Sequence, residues 1–201
     1  MFYDAVARTH GLKHDPFKAL VSPRPIGWIG SKSPEGVLNL APYSFFNAFS
    51  SYPYIVGFGS EGYKHSIANI EATGAFSCSM AVWDLRDQMN ISSGAVAADV
   101  DEFKLAGLTP VQCEMVDAPR VGEAPAALEC EYLKTVDFVT SDGREVGAKL
   151  VVGEVVGIHI DDRLISDGIV DITKARPLAR LGYKDYLVVD ELFQMTRPGE
   201  A

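Results

Sequence analysis

Two long runs constrain this chain more than any other feature. Ala127 to Val139 and Lys149 to Ile160 are rich in β-branched and apolar residues. They are joined through Ser141-Asp142-Gly143, and Asp-Gly is a strong hairpin signal. A chain built on such a hairpin is committed to an antiparallel sheet. The stretches before it agree. Ile26, Trp28 and Ile29 predict a strand, Ser33-Pro34-Glu35-Gly36 a turn, and Val37 to Leu40 the returning strand. Tyr43 to Phe49 either continues that strand or begins a third, and Tyr54 to Phe58 predicts another. Ala75 to Val82 alternates, with Phe76, Cys78, Met80 and Val82 on one face and Ser77 and Ser79 on the other. That is the pattern of a half-buried strand. Pro177 to Gly182 and Tyr186 to Val189 close the series.

Helical signals are short. Phe17 to Leu20 follows Asp15-Pro16 and predicts one turn. A helix over 64–73 has Ile67, Ala68 and Ile70 on one side and Gly74 as its C-terminal stop. Asp84 is placed to cap Leu85 to Asn90, and Asp101 to cap a helix ending at Gly107. Residues 108–125 hold Pro110, Pro119, Gly122 and Pro125 and read as a long connection. Asp161 to Arg176 is polar and turn-rich. The total is about seven strands and a few short helices, with hairpins outnumbering βαβ units. The predicted architecture is mainly β: an antiparallel barrel or sandwich with helices packed at its side. One domain is expected over 1–201, with an arm over about 1–20 and a tail over about 190–201.

Composition narrows the partners. The 201 residues carry a formal net charge of −9, which argues against nucleic acid and anionic membrane surfaces. No apolar run approaches the roughly 20 residues of a membrane span, and the N-terminus has no signal-peptide pattern. The three cysteines, Cys78, Cys113 and Cys130, lack a CxxC spacing. Reduced thiols in a cytoplasmic protein are expected, and neither a disulfide framework nor a zinc site is.

The chemistry concentrates between Pro42 and Gly74. Tyr43, Ser44, Phe45, Phe46 and Asn47 form an aromatic and hydroxyl cluster. A strand, a glycine-broken loop and a helix start at Lys64-His65-Ser66 follow. Free N–H groups and the positive dipole end of a helix attract anions. Lys64 opposes that dipole, a placement that an intervening anion would explain, and Ser66 adds a donor. Flanking aromatics suggest a ligand with a flat ring and a phosphate. Two adjacent phenylalanines cannot share one strand face, so Phe45 or Phe46 faces outward to a ligand or subunit. Gly57 to Gly62, GFGSEG, matches the dinucleotide pattern G-x-G-x-x-G. Yet its last glycine precedes the helix, and no βαβ alternation follows. The preferred reading is a backbone that approaches a phosphate without a Rossmann fold. His159 reads as a satisfied histidine, and Cys78 as core.

The segments SPRPIGWIGSKSPEGVLNLAPYSFFNAFSSYPYIVGFGS and KHSIANIEATGAFSCSM resemble the flavin reductase-like family, the FMN-binding split β-barrels. MNISSG, DEFKLAGLTPV, AALEC, VVGEVVGIHIDD and RPLARLGYKDY extend the resemblance over residues 18–187. It implies a Greek-key-like split barrel forming a homodimer with FMN, or FAD as the alternative flavin, near the subunit interface. The match over Asn39, Ser44, Phe45, Phe46 and Asn47 implies the ring-binding edge. The match over Ser60, Lys64, His65 and Ser66 implies the phosphate site, and that around Arg180 a position close to the cofactor or dimer contact. The implied activity is NAD(P)H-dependent flavin reduction, with NAD(P)H as co-substrate, no catalytic side chain, and a partner monooxygenase as one acceptor. Short-chain relatives carry Gly-Asp-His near the C-terminus, associated with nicotinamide, where this chain has Gly182-Tyr183-Lys184-Asp185. A flavin-binding electron carrier or sensor without NAD(P)H oxidation, and a Rossmann NAD(P)-binding protein, stay open.

Overall fold

The computed structural model describes residues 1–199; the last residues of the expected tail, 200 and 201, lie outside them. One turn of helix, α1 (Phe17–Leu20), leads into strand β1 (Arg24–Pro25). The hairpin β2 (Gly27–Lys32) and β3 (Leu38–Tyr43) follows, then the hairpin β4 (Phe46–Ser51) and β5 (Tyr54–Glu61). Helix α2 (His65–Thr73) leads to β6 (Ala75–Met80). Helices α3 (Arg86–Ile91) and α4 (Glu102–Ala106) precede a small hairpin, β7 (Pro110–Gln112) and β8 (Pro119–Val121). The long hairpin β9 (Ala126–Val139) and β10 (Glu145–Ile160) turns at Gly143, whose φ is +84°. The minor pair β11 (Ile165–Ser166) and β12 (Ile169–Val170), the turn α5 (Ile172–Ala175), and β13 (Leu178–Arg180) with β14 (Tyr186–Val188) complete it.

Seven strands form the main antiparallel sheet in the order β3-β2-β6-β9-β10-β5-β4. Its two edges are consecutive in sequence. Ser44 and Phe45 alone carry the chain from β3 to β4, and the Gly59 N–H donates to the Phe45 carbonyl at 2.6 Å. The sheet therefore curls on itself into a barrel. Ile29, Val56, Phe58, Phe76, Cys130 and Val151 fill its interior, and α2 plugs one end with Ile67 and Ile70. A second core lies outside β2 and β3, where Trp28 and Leu40 pack against Met89 of α3 and Phe103 of α4. Trp28 and Ile29 thus alternate between two buried layers, which explains why β2 is buried on both faces from Gly27 to Ser31.

Four expectations are corrected. Ser77 and Ser79 do not face solvent: every residue from Ala75 to Ser79 is buried. The residues 108–125 fold β7 and β8 over that face, and Ser77 Oγ donates to the Pro119 carbonyl while Ser79 Oγ accepts from the Val121 N–H at 3.0 Å. Backbone acceptors and donors of the covering strand are what make serine tolerable there. Asp84 caps nothing; it sits in a single 3-10 turn, Trp83–Leu85, ahead of α3. The strand predicted over Tyr54 to Phe58 runs on to Glu61, so Gly57 and Gly59 lie inside β5 and form no loop. Finally, Gly57 and Gly59 pack against phenylalanine side chains, which accounts for their size without a nucleotide loop. A Cβ on Gly57 would lie 2.9 Å from the Phe49 ring, and one on Gly59 3.1 Å from Phe45 Cβ. The antiparallel barrel also rules out the Rossmann alternative. Asp101, by contrast, caps α4 by accepting from the Lys104 N–H at 3.1 Å, and Gly107 ends it in the left-handed region.

Candidate functional site

Helix α2 begins at the mouth of the barrel. Lys64 is its extended N-cap residue, no side chain caps the N–H groups of its first turn, and no acidic residue lies there. The helix is nine residues long, so its positive end is substantial. It opens on a cavity of about 350 Å³, within the range of small-ligand sites. Asn39 and Tyr43 of β3, with Ala41 and Pro42 between them, form one wall. Lys64, His65 and Ser66 form the floor, and Ser92, Ser93 and Gly94, just past α3, form the opposite wall.

Each wall is held by the fold. Ser66 is 1% exposed, and its Oγ accepts from Asn39 Nδ2 at 3.4 Å. Tyr43 stands between core and cavity, its ring 4.5 Å from that of Phe58. Burial pushes its hydroxyl pKa up, against hydrogen bonding with Ser66 and Ser60. Trp28 Nε1 donates to Ser92 Oγ at 2.9 Å, and that hydroxyl donates to the Met89 carbonyl, which ties the far wall to the second core. Lys64 joins no ion pair among the described residues; its Nζ stands 5.9 Å from the centroid of the Tyr43 ring. One acid lines the cavity. Glu102 accepts from the Leu40 N–H at 3.1 Å, and burial pushes its carboxyl above the ordinary range.

The sequence-derived residues therefore divide. Asn39, Lys64, His65 and Ser66 converge on the cavity. Ser60 is buried beneath it and donates to the Gly62 carbonyl at 2.9 Å. Ser44 and Phe45 line a shallow extension past Pro42 and Tyr43 that also reaches Lys64. Phe46 turns inward and packs against the barrel core, and Asn47 lies exposed on β4 with its Oδ1 accepting from the Ala48 N–H. Neither lines the cavity. Arg180 lies in an adjoining recess, hydrogen-bonded to the Tyr183 carbonyl and the Tyr186 hydroxyl. His159 is satisfied by Glu129, as the sequence suggested.

Ser92, Ser93, Gly94 and Glu102 were not singled out as site residues from the sequence. The Met89–Gly94 motif carried a signal, but nothing local says that the end of α3 faces the start of α2, which lies 20 or more residues away along the chain.

The decisive comparison is with protein families. Residues 20–178 match the model of the flavin reductase like domain. The chain belongs to this family. An uncharacterised relative from Aquifex aeolicus is 33% identical over 174 residues, covering 84% of this chain and 85% of its own. Among solved structures, nitrilotriacetate monooxygenase component B from Bacillus cereus superposes with a TM-score of 0.89 at 24% identity, covering 97% of this chain and 98% of that one. The 2-nitrobenzoate 2-nitroreductase of Pseudomonas fluorescens gives 0.86 at 25% identity, covering 99% and 97%. A protein with a split barrel domain from Shewanella frigidimarina gives 0.81 at 22% identity, covering 98% and 94%, so the fold is that of a split barrel.

Proposed function

We propose that the protein is an FMN-binding oxidoreductase of the NAD(P)H-dependent flavin reductase type. The observation that carries this is the uncapped start of α2, with an unpaired lysine, opening on a cavity edged by Pro42 and Tyr43. The donor set fits a phosphomonoester. Lys64 supplies charge, Ser66 a hydroxyl, Asn39 an amide, and the first turn of α2 backbone N–H groups. Glu102 is the one acid lining the cavity, and its raised pKa reduces its opposition, while Glu61, which borders the shallow extension, is paired with Lys18. The edge from Pro42 to Phe45 offers a ring-sized border, and the family membership supplies the flavin.

Bound FMN would supply the two-electron chemistry, taking hydride from NAD(P)H. The chain's own residues then have three tasks. The α2 start and Lys64 hold the phosphate. Backbone groups from Pro42 to Phe45 and the Ser44 hydroxyl orient the ring and stabilise the charge it gains on reduction. The wall from Ser92 to Gly94 narrows access. No acid or base is required for hydride transfer, so no side chain is assigned as catalytic.

Three further proposals follow from the same reading. The protein acts as a homodimer, because Phe49 (59% exposed), Tyr52 (89%) and Tyr54 (52%) cluster around the β4–β5 hairpin. It is cytoplasmic, consistent with three free, buried cysteines and with the lack of any membrane-length apolar helix among the described residues. Delivery of reduced flavin to a partner monooxygenase is supported by the likeness to a monooxygenase component.

The alternative is the same flavin site without nicotinamide oxidation. It is favoured by the segment Gly182 to Asp185, which has no histidine and serves instead to hold Arg180. Anaerobic addition of NADH and of NADPH to FMN-loaded protein separates the two. Bleaching of the flavin band within seconds supports the reductase; a spectrum unchanged by both nicotinamides, with bleaching by dithionite alone, leaves the carrier.

A further inference from the structure

Beyond Pro42 and Ser93, which line both spaces, a second recess of about 230 Å³ adjoins the main cavity. Lys18, Arg24 and Arg180 all line it, and no carboxylate does. In a chain of net charge −9 this is an unexpected place to gather three cations. Lys18 has Glu61 as an exposed ion-pair partner, which leaves the two arginines uncompensated. Arg24 is only 6% exposed. Its Nη1 donates to the carbonyls of Lys18 and Val21 and its Nη2 to that of Leu181, while its buried Nε has no partner. Arg180 is likewise met by neutral acceptors, the Tyr183 carbonyl and the Tyr186 hydroxyl. Carbonyls and hydroxyls satisfy the N–H groups but cancel no charge. Two guanidinium groups without a counter-charge, one of them buried, are costly unless an anion joins them. Burial and the charge of Arg180 both lower the Arg24 pKa.

We propose that this recess binds an anionic group, phosphate or carboxylate, of the second substrate, and seats that substrate beside the flavin. The proposal rests on the reading of the main cavity as the FMN site. It assigns Arg180 to the second substrate and away from the flavin phosphate. Lys18 and Arg180 are the adjustable contacts; Arg24 is the fixed charge, tied to α1 and to Leu181. Ser44, which lines the recess and the flavin edge alike, marks where the two ligands meet.

The test titrates FMN-saturated protein by calorimetry with two probes, sodium pyrophosphate and sodium benzoate, for the wild type and for Lys18→Ala, Arg180→Ala and Lys64→Ala. At least one probe is expected to bind, and to bind tenfold or more weakly in Arg180→Ala and several-fold more weakly in Lys18→Ala. FMN affinity should stay within twofold in both of these variants. Pyrophosphate binding with a KM increase for NADPH alone identifies the 2′-phosphate as the source. An equal increase for NADH identifies the dinucleotide bridge, and benzoate binding with both KM values unchanged identifies a carboxylate substrate. Binding of neither probe overturns the proposal. So does loss of FMN itself in Arg180→Ala or Lys18→Ala, which would give the recess to the flavin phosphate. Lys18 is exposed, so its variant guards against misfolding of Arg180→Ala. If the protein takes up no FMN, the reading of the main cavity fails separately. The same titration of the protein as purified then still decides whether the recess binds anions.

Discussion

Single residues decide how the cavity treats charge. Among the described residues, Lys64 is the only lysine or arginine lining the cavity, and it has no carboxylate partner there. Lys64→Ala is expected to weaken FMN binding by about 1–3 kcal/mol, the range for a hydrogen bond to a charged group. Fluorescence titration of FMN measures it, and unchanged affinity removes Lys64 from the site. Glu102 acts in the opposite sense. Its folded pKa is raised by burial, so it is protonated to a higher pH than an ordinary glutamate and becomes a repelling anion only above that point. FMN affinity should therefore fall as pH rises through the Glu102 titration. Glu102→Gln keeps an oxygen to accept from Leu40, removes this fall, and tightens binding at neutral pH by about 1 kcal/mol. A pH profile identical to that of the wild type would show that Glu102 does not sense the ligand.

At the scale of elements, the hairpins were legible because their signals are local. Asp142-Gly143 turns β9 into β10, and Asp101 and Gly107 bound α4 as their side-chain chemistry dictates. What stayed hidden depended on partners distant in sequence. Ser77 and Ser79 look solvent-facing until β8 supplies backbone partners from 42 residues away. The glycines of β5 imitate a nucleotide loop, yet they are small because Phe49 of the neighbouring strand and Phe45 of the link before it cross them. The start of α2 was legible as a helix N-terminus with a lysine on it; the wall at Ser92 to Gly94 was not, because it is placed by Trp28 through the second core.

Another long-range tie governs acid stability. Glu129 is 1% exposed, yet its Oε1 accepts from the Glu114 N–H at 2.8 Å and from His159, and its Oε2 from the Met115 N–H at 2.6 Å. Burial alone would raise its pKa, but these hydrogen bonds overrule burial and hold the carboxyl below its ordinary value of 4.5. A depressed folded pKa stabilises fully above the ordinary value, and the contribution is lost as pH falls through the lowered one. Glu129→Gln should cost about 1.5–3 kcal/mol near neutrality and flatten the loss of stability on acidification. Urea midpoints between pH 3 and 7 report both. Parallel curves for variant and wild type would mean that the clasp between β9 and the loop after β7 carries no charge-dependent stability.

For the whole molecule, the proposals concern assembly and ligand. The exposed rings at Phe49, Tyr52 and Tyr54 predict a dimer, seen as twice the chain mass by light scattering; Phe49→Asp should shift it toward monomer, and a wild-type monomer at micromolar concentration would refute it. Distribution of charge matters more than its sum. The chain is acidic, yet its cations gather where α2, β1 and β13 face the Pro42–Phe45 edge. The most direct measurement is a crystal structure grown with excess FMN. The phosphate is expected within hydrogen-bonding distance of the His65 and Ser66 N–H groups and of Lys64, with the ring along Pro42 to Phe45. A cavity holding no flavin, or a phosphate seated elsewhere on the barrel, would contradict it.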